Sequence, residues 1–210
     1  MQCLLNRNRH GWQLLVSLWL GPVCAAIVLA CGLAAVAHGV PNTTVTNTND
    51  SGPGSLRQAI ADVAVGGTIV FDSAVFNVPQ TITLNSLLLI NKGITIDGAA
   101  GGVVTPTISG PGAGCATCFR VISVGTDVTL RRLAIVNGYQ TIGRRGGGIY
   151  STGNLTVENC LVTGNVADGG GGGIYVDRGK LLTLIDTDII SNGTIAANAA
   201  GGGVYVLGSA

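Results

Sequence analysis

From Thr81 onward the apolar residues recur at every second position, in runs of three to five broken by Gly, Asn and Asp. That period belongs to strands with one covered face; a helix would place them three and four apart. One run occurs three times. Val128-Thr-Leu-Arg-Arg-Leu-Ala-Ile-Val-Asn-Gly138 is followed 27 residues later by Leu155-Thr-Val-Glu-Asn-Cys-Leu-Val-Thr-Gly-Asn165, and after another 27 by Leu182-Thr-Leu-Ile-Asp-Thr-Asp-Ile-Ile-Ser-Asn192. Between them recur Gly-Gly-Gly-Ile149-Tyr150, Gly-Gly-Gly-Ile174-Tyr175 and Gly-Gly-Gly-Val204-Tyr205. Such regularity predicts a fold in which each repeat stacks on the last and none buries enough surface alone.

Aligning the repeats predicts columns. The inward ones are Val128/Leu155/Leu182, Leu130/Val157/Leu184, Leu133/Cys160/Thr187, Ile135/Val162/Ile189 and Ile149/Ile174/Val204. The phase shifts at Arg132/Asn159/Asp186, which marks a polar corner where the strand direction turns. Asn165 and Asn192 share a column, where stacked amides can form a hydrogen-bonded ladder. Tyr150, Tyr175 and Tyr205 follow inward residues, so they are expected outside, stacked on one another as a shielding ladder or a platform for sugars. The glycine triplets allow positive φ and close approach of neighbouring coils.

Upstream the pattern changes. Ser55-Leu-Arg-Gln58 has the form of a capping box, and Leu56, Ile60 and Val63 then lie on one helical face, so a helix is predicted that ends near Gly66-Gly67. Thr68–Phe71 reads as a strand, and residues 55–80 form a cap that covers the first apolar layer. Further strands are expected at Thr81–Leu84, Leu87–Ile90, Ile94–Ile96, Thr107–Ser109 and Phe119–Ile122, with residues 110–118 as a protruding loop. Residues 38–54 read as irregular, and residues 81–210 as coils. Residues 1–37 carry Arg7 and Arg9, an apolar stretch and Ala35-Val36-Ala37, which together describe a secretory signal peptide.

Composition then narrows the field. Removal of the leader takes Arg7 and Arg9 from the 11 Lys+Arg and leaves the 10 acids, a balance near neutral that excludes a basic nucleic-acid footprint. Glycine, 34 of 210 residues, is more than double ordinary usage and is explained by the repeats. Cys115-Ala-Thr-Cys118 has no second ligand pair to make a zinc site; a local disulfide, two free thiols and a redox pair stay open. Cys160 falls in an inward column as a small apolar residue.

Thr44-Val-Thr-Asn-Thr-Asn-Asp-Ser-Gly-Pro-Gly-Ser-Leu-Arg-Gln-Ala-Ile60, followed by Gly67-Thr-Ile-Val-Phe-Asp72, resembles the amino-terminal segment of bacterial exported right-handed parallel β-helix proteins of pectin-lyase-like fold. The Gly-Gly-Gly-Ile-Tyr and Leu-Val-Thr-Gly-Asn165 units resemble their repeats and those of polymorphic outer-membrane proteins, although the phenylalanine of the latter is absent here. The resemblance covers about residues 44–210. It implies an all-β, right-handed parallel β-helix with an amino-terminal capping helix, and a secreted or cell-surface location in a bacterial envelope. Such folds host both lyases and adhesins, so the resemblance says little about chemistry.

The acids supply the test for catalysis. Cleaving a glycosidic bond takes two carboxyls facing one groove. Asp186 and Asp188 are two residues apart, but the preceding coil offers Asn159 and Leu161 there, so no acidic patch builds. No histidine lies beyond His38, and no Asp-Asp or Gly-His-Gly like those of polygalacturonases is present. Asp168-Gly-Gly-Gly-Gly-Gly-Ile-Tyr-Val-Asp177 lacks the nine-residue period of a calcium-binding β-roll, and Gly110-Pro-Gly-Ala-Gly114 lacks the Lys-Ser/Thr of a phosphate loop. The sequence therefore predicts no catalytic residue, metal or cofactor, and an exported adhesin-like scaffold whose partners are cell-surface glycans or proteins of a neighbouring cell. A carbohydrate-active enzyme is the alternative. The abrupt end after Gly201-Gly-Gly-Val-Tyr-Val206 adds the expectation of a longer parent protein with further coils or an anchor.

Overall fold

The computed structural model describes residues 5–8, 11–14, 42–99, 104–141 and 144–208. Of residues 1–37 it describes two short strands, Leu5–Asn8 and Gly11–Leu14, paired antiparallel. The apolar stretch and the Ala-Val-Ala site of the expected signal peptide lie outside the described residues. Residues 39–210 form a separate compact unit.

That unit is a parallel β-solenoid. The first wall has six strands, Thr43–Val45, Thr68–Phe71, Ile94–Asp97, Val128–Arg131, Leu155–Glu158 and Leu182–Ile185, each paired in parallel with the next. The second has five: Thr81–Thr83, Thr107–Ser109, Ala134–Val136, Leu161–Thr163 and Asp188–Ile190. A short third wall holds Tyr139–Gln140, Val166–Ala167 and Gly193–Thr194. The fourth holds Leu88–Ile90, Ile122–Val124, Ile149–Ser151, Ile174–Val176 and Val204–Val206. The 27-residue register is the pairing register: Val128 opposes Leu155, and Leu155 opposes Leu182.

In the last three coils, each bend between the first three walls is made by one residue in the left-handed region. Arg132, Asn159 and Asp186 (φ 51, 51 and 44°) turn the first wall into the second; Asn137, Gly164 and Ser191 (φ 59, 67 and 54°) turn the second into the third. Such a residue reverses the side-chain alternation, which is why apolar phase shifts at the corners.

The core is the set of inward columns. Leu130, Leu133, Ile135, Ile149, Val157, Val162 and Ile174 are fully buried, and Cys160 lies among them. The glycine triplets and the asparagine ladder are one packing device. A Cβ on Gly148 would come 2.6 Å from the Gly173 carbonyl and 3.0 Å from the Asn165 amide; one on Gly173 would meet the Gly203 carbonyl and Asn192 in the same way. The fourth wall therefore lies directly against the buried amides, and only a residue without a side chain fits between.

The helix α1 (Leu56–Asp62) buries Leu56, Ala59 and Ile60 at the amino-terminal end of the core. Ser55 Oγ accepts from the Gln58 amide, so half of the capping box forms; the Gln58 side chain donates to Asp62 instead of reaching back. The helix stops four residues before the expected Gly66, because Val63 is extended and Lys92 donates to the Ala61 and Val63 carbonyls. Two other expectations are corrected. Residues 38–54 carry a strand, Thr43–Val45, held by parallel pairing with Thr68–Phe71. The strand expected at Phe119–Ile122 runs over Ile122–Val124, where it meets Leu88–Ile90 on one side and Ile149–Ser151 on the other.

Candidate functional site

With the interior filled by side chains, any site lies on the outer faces. On the fourth wall, Tyr150, Tyr175 and Tyr205 stack with ring centroids 5.4 Å apart and planes within 9° and 10° of parallel. The residue above Tyr150 in this column is Ser123. Arg120 fills the space a fourth ring would take, its guanidinium 4.4 Å from the Tyr150 centroid. Arg145 donates to the Tyr175 hydroxyl at 2.7 Å, and the Tyr150 hydroxyl donates to Asp177 at 3.5 Å. Burial, then the Asp177 charge, holds the Tyr150 phenol above its ordinary range; burial lowers Arg120.

This arrangement changes the meaning of the tyrosine stripe. Tyr175 was expected at the surface and is fully buried. Its two ring faces are covered by Tyr150 and Tyr205, and that of Tyr150 by Arg120. A sugar stacks on a ring face, so this column offers no platform along its length. Single-coil reasoning could not show this, because the covering groups come from adjacent coils.

The asparagines expected as a ladder are joined. Asn165 Nδ2 donates to Asn192 Oδ1 at 3.0 Å, and Asn165 Oδ1 accepts from the Gly138 amide at 2.8 Å. Their remaining amide hydrogens go inward to the Ile135 and Val162 carbonyls. Asn165 is engaged on both sides and buried, so it offers nothing to a ligand. Cys115 and Cys118 are joined by a disulfide, with Cα atoms 5.3 Å apart. Burial pushes the Cys160 thiol up, which suits an inert core residue.

The acids are spread singly. Asp50 pairs with Arg57 within the amino-terminal cap, while Asp97 with Arg132 and Glu158 with Arg131 pair across adjacent coils. Asp127 accepts from the backbone and side-chain amides of Asn154. Asp186 sits in the left-handed corner and Asp188 opens the second wall, so the bend of the chain separates them. Among the described residues no three of His, Cys, Asp and Glu converge on a metal-sized space.

The first wall holds the feature that sequence columns drawn from the inside had passed over. Thr68, Thr95, Thr129, Thr156 and Thr183 oppose one another in register on its outer face. A shallow groove runs beside them, lined by Thr95, Thr129, Thr156, Asp127, Asn154, Gly66 and Gly93. The signal was present in the chain as the Thr that follows the first aliphatic of the four first-wall strands from Ile94 onward. No protein-family model matches this chain, and neither does any curated protein or any solved structure.

Proposed function

We propose that this chain is an exported, surface or extracellular scaffold, adhesin-like in its mode of action, with no catalysis in the segment from 39 to 210. The observation that carries the reading is the periodicity of the outer faces. Threonines and tyrosines repeat along the axis in register, so the surface presents columns and, among the described residues, no point where acid, base and nucleophile converge. A display of this kind suits extended partners met at many weak contacts, such as cell-surface glycans or proteins of a neighbouring cell. Likeness of the repeats to pectin-lyase-like and polymorphic outer-membrane sequences supports the same reading, as does the leader-like amino terminus.

The competing enzyme reading makes a measurable claim. The purified chain is incubated with polygalacturonate, alginate and other uronate polymers, and absorbance of unsaturated products and reducing ends is followed. The expected result is no turnover together with retention of the chain on intact bacterial or host cell surfaces. Sustained product formation, lost in Asp186→Ala or Asp188→Ala, would overturn the proposal.

A further inference from the structure

We propose that the groove along the first wall binds a neutral, extended glycan laid along the solenoid axis, read by the hydroxyls of Thr95, Thr129 and Thr156 and by Asp127. The inference rests on the surface-binding reading above and assigns it a site. Its starting point is a row of unused hydrogen-bonding groups. The five in-register threonines, Thr68 to Thr183, make no side-chain hydrogen bond among the described residues. Several hydroxyls elsewhere on the solenoid are engaged: Ser151 with Gly153, Thr187 with Val157 and Ile185, Ser109 with Gly110 and Asn137. Each free hydroxyl is both donor and acceptor, and the strand spacing of roughly 4.8 Å repeats it along about 19 Å of wall.

The lining excludes the other ligand classes. It contains no lysine or arginine, and its one charged group is the Asp127 carboxylate, so a phosphate, sulfate or uronate would be repelled. Its aliphatic members, Ile94 and Val128, are buried beneath, and the apolar surface the groove does show is a small patch broken by the threonines, far less than an acyl chain would cover. A peptide strand would need an unpaired edge, whereas Thr95, Thr129 and Thr156 lie on strands paired on both sides. What remains is a polyol with repeating hydroxyls. Asp127 is pre-oriented for it by the two amide donors of Asn154, at 3.0 and 3.1 Å, and stays exposed at the groove. The groove is open along its length and closed by no lid, the form that fits a chain rather than an engulfed monomer.

The test is calorimetric titration of the full chain with cello-, manno- and N-acetylglucosamine hexaoses, with hexagalacturonate as the charged comparison. Saturable binding of at least one neutral hexaose is expected. The double variant T129V/T156V, which keeps shape and β-propensity and loses both hydroxyls, should weaken it about tenfold or more; T129S/T156S should restore it. Circular dichroism of each variant reports folding. Binding of hexagalacturonate alone, binding of no hexaose, or binding indifferent to the valine pair would each overturn the assignment. Retention on cell surfaces that survives T129V/T156V would remove this site and leave the scaffold reading standing.

Discussion

The two ends of the solenoid treat the same kind of apolar layer in opposite ways. At the amino-terminal end, α1 lies over the first strands and contributes Leu56, Ala59 and Ile60 to the core, while Leu88 and Ile90 beneath are fully covered. Arg57 ties the arrangement down: it pairs with Asp50 and donates to the Ser86 and Leu87 carbonyls. Asp50 also accepts from the Asn85 amide. At the other end, Leu184 is 43% exposed and Val206 44%, although Leu184 continues the column of Leu130 and Val157, and Val206 that of Val176, all fully buried. Identical column positions thus differ in energy by whether a coil lies on each side. Burial in a stacked fold belongs to the interface between repeats more than to the repeat.

The most direct way to break this comparison is to truncate one column at two heights. Leu130→Ala should cost about 2–5 kcal/mol, since it opens a cavity between two covered coils. Leu184→Ala should cost about 1 kcal/mol or less, because much of that side chain is already in water. Denaturant unfolding of both variants measures the difference. Equal losses would mean that the last coil is as well packed as the middle ones and would sink the interface argument.

A second pair refines it. Asn165 is fully buried and joined to Gly138, Ile135 and Asn192; Asn192 is half-buried and has partners on one side only. Asn165→Ala strands buried backbone groups and should cost about 2–3 kcal/mol, against about 1 kcal/mol for Asn192→Ala. Hydrogen exchange of the Gly138 amide, protected in the parent chain, should rise sharply in the first variant. An unchanged rate there would show that the ladder does not hold the corner.

The inward columns, the corners and the start of α1 were legible because each follows from a local rule: period two, a phase slip, a serine three residues before a glutamine. What was illegible came from between coils. Thr43–Val45 is three residues in a polar context and becomes a strand only through Thr68–Phe71. Burial of Tyr175 depends on rings contributed 25 residues before and 30 after. The outer threonine column was passed over in part for a different reason. Thr129, Thr156 and Thr183 stand in the 27-residue repeats, but the loop around Cys115–Cys118 lengthens one coil, so Thr95 and Thr129 stand 34 residues apart. A search for a fixed interval stops at Thr129, whereas alignment on the first-wall aliphatics carries the column back to Thr95. That Gly148 must be glycine because Asn165 lies against it is likewise a relation across the coil, invisible along it.

The cap itself can be probed more gently. Ser55 is fully buried, accepts from the Gln58 amide at 3.1 Å and donates to the Gly52 carbonyl at 2.7 Å. Ser55→Ala should therefore cost about 1 kcal/mol. The loss should be local if the amino-terminal end is held as a separate tie, with faster exchange in α1 and little change near Ile174. Uniform acceleration along the whole solenoid would argue instead that the cap and the coils unfold as one unit.

The smallest effect concerns the covered end of the tyrosine ladder. Tyr150 is under Arg120 and beside Asp177, and burial followed by the Asp177 charge holds its phenol above the ordinary value of 10.0. Below pH 10 the phenol is protonated in both folded and unfolded chains, so the shift leaves stability untouched. As pH rises past that value the unfolded chain releases its proton first, the folded chain resists, and stability falls until the folded group also ionises. Tyr150→Phe keeps the stacked ring and removes the ionisable hydroxyl. The variant should match the parent near pH 8 and lose less stability than the parent between pH 8 and pH 10.5, read by urea unfolding at each pH. If the two chains lose the same amount on the alkaline side, the ring is stacked but its hydroxyl is as free as that of an unfolded tyrosine, and the covered end of the ladder differs from the open end in packing alone.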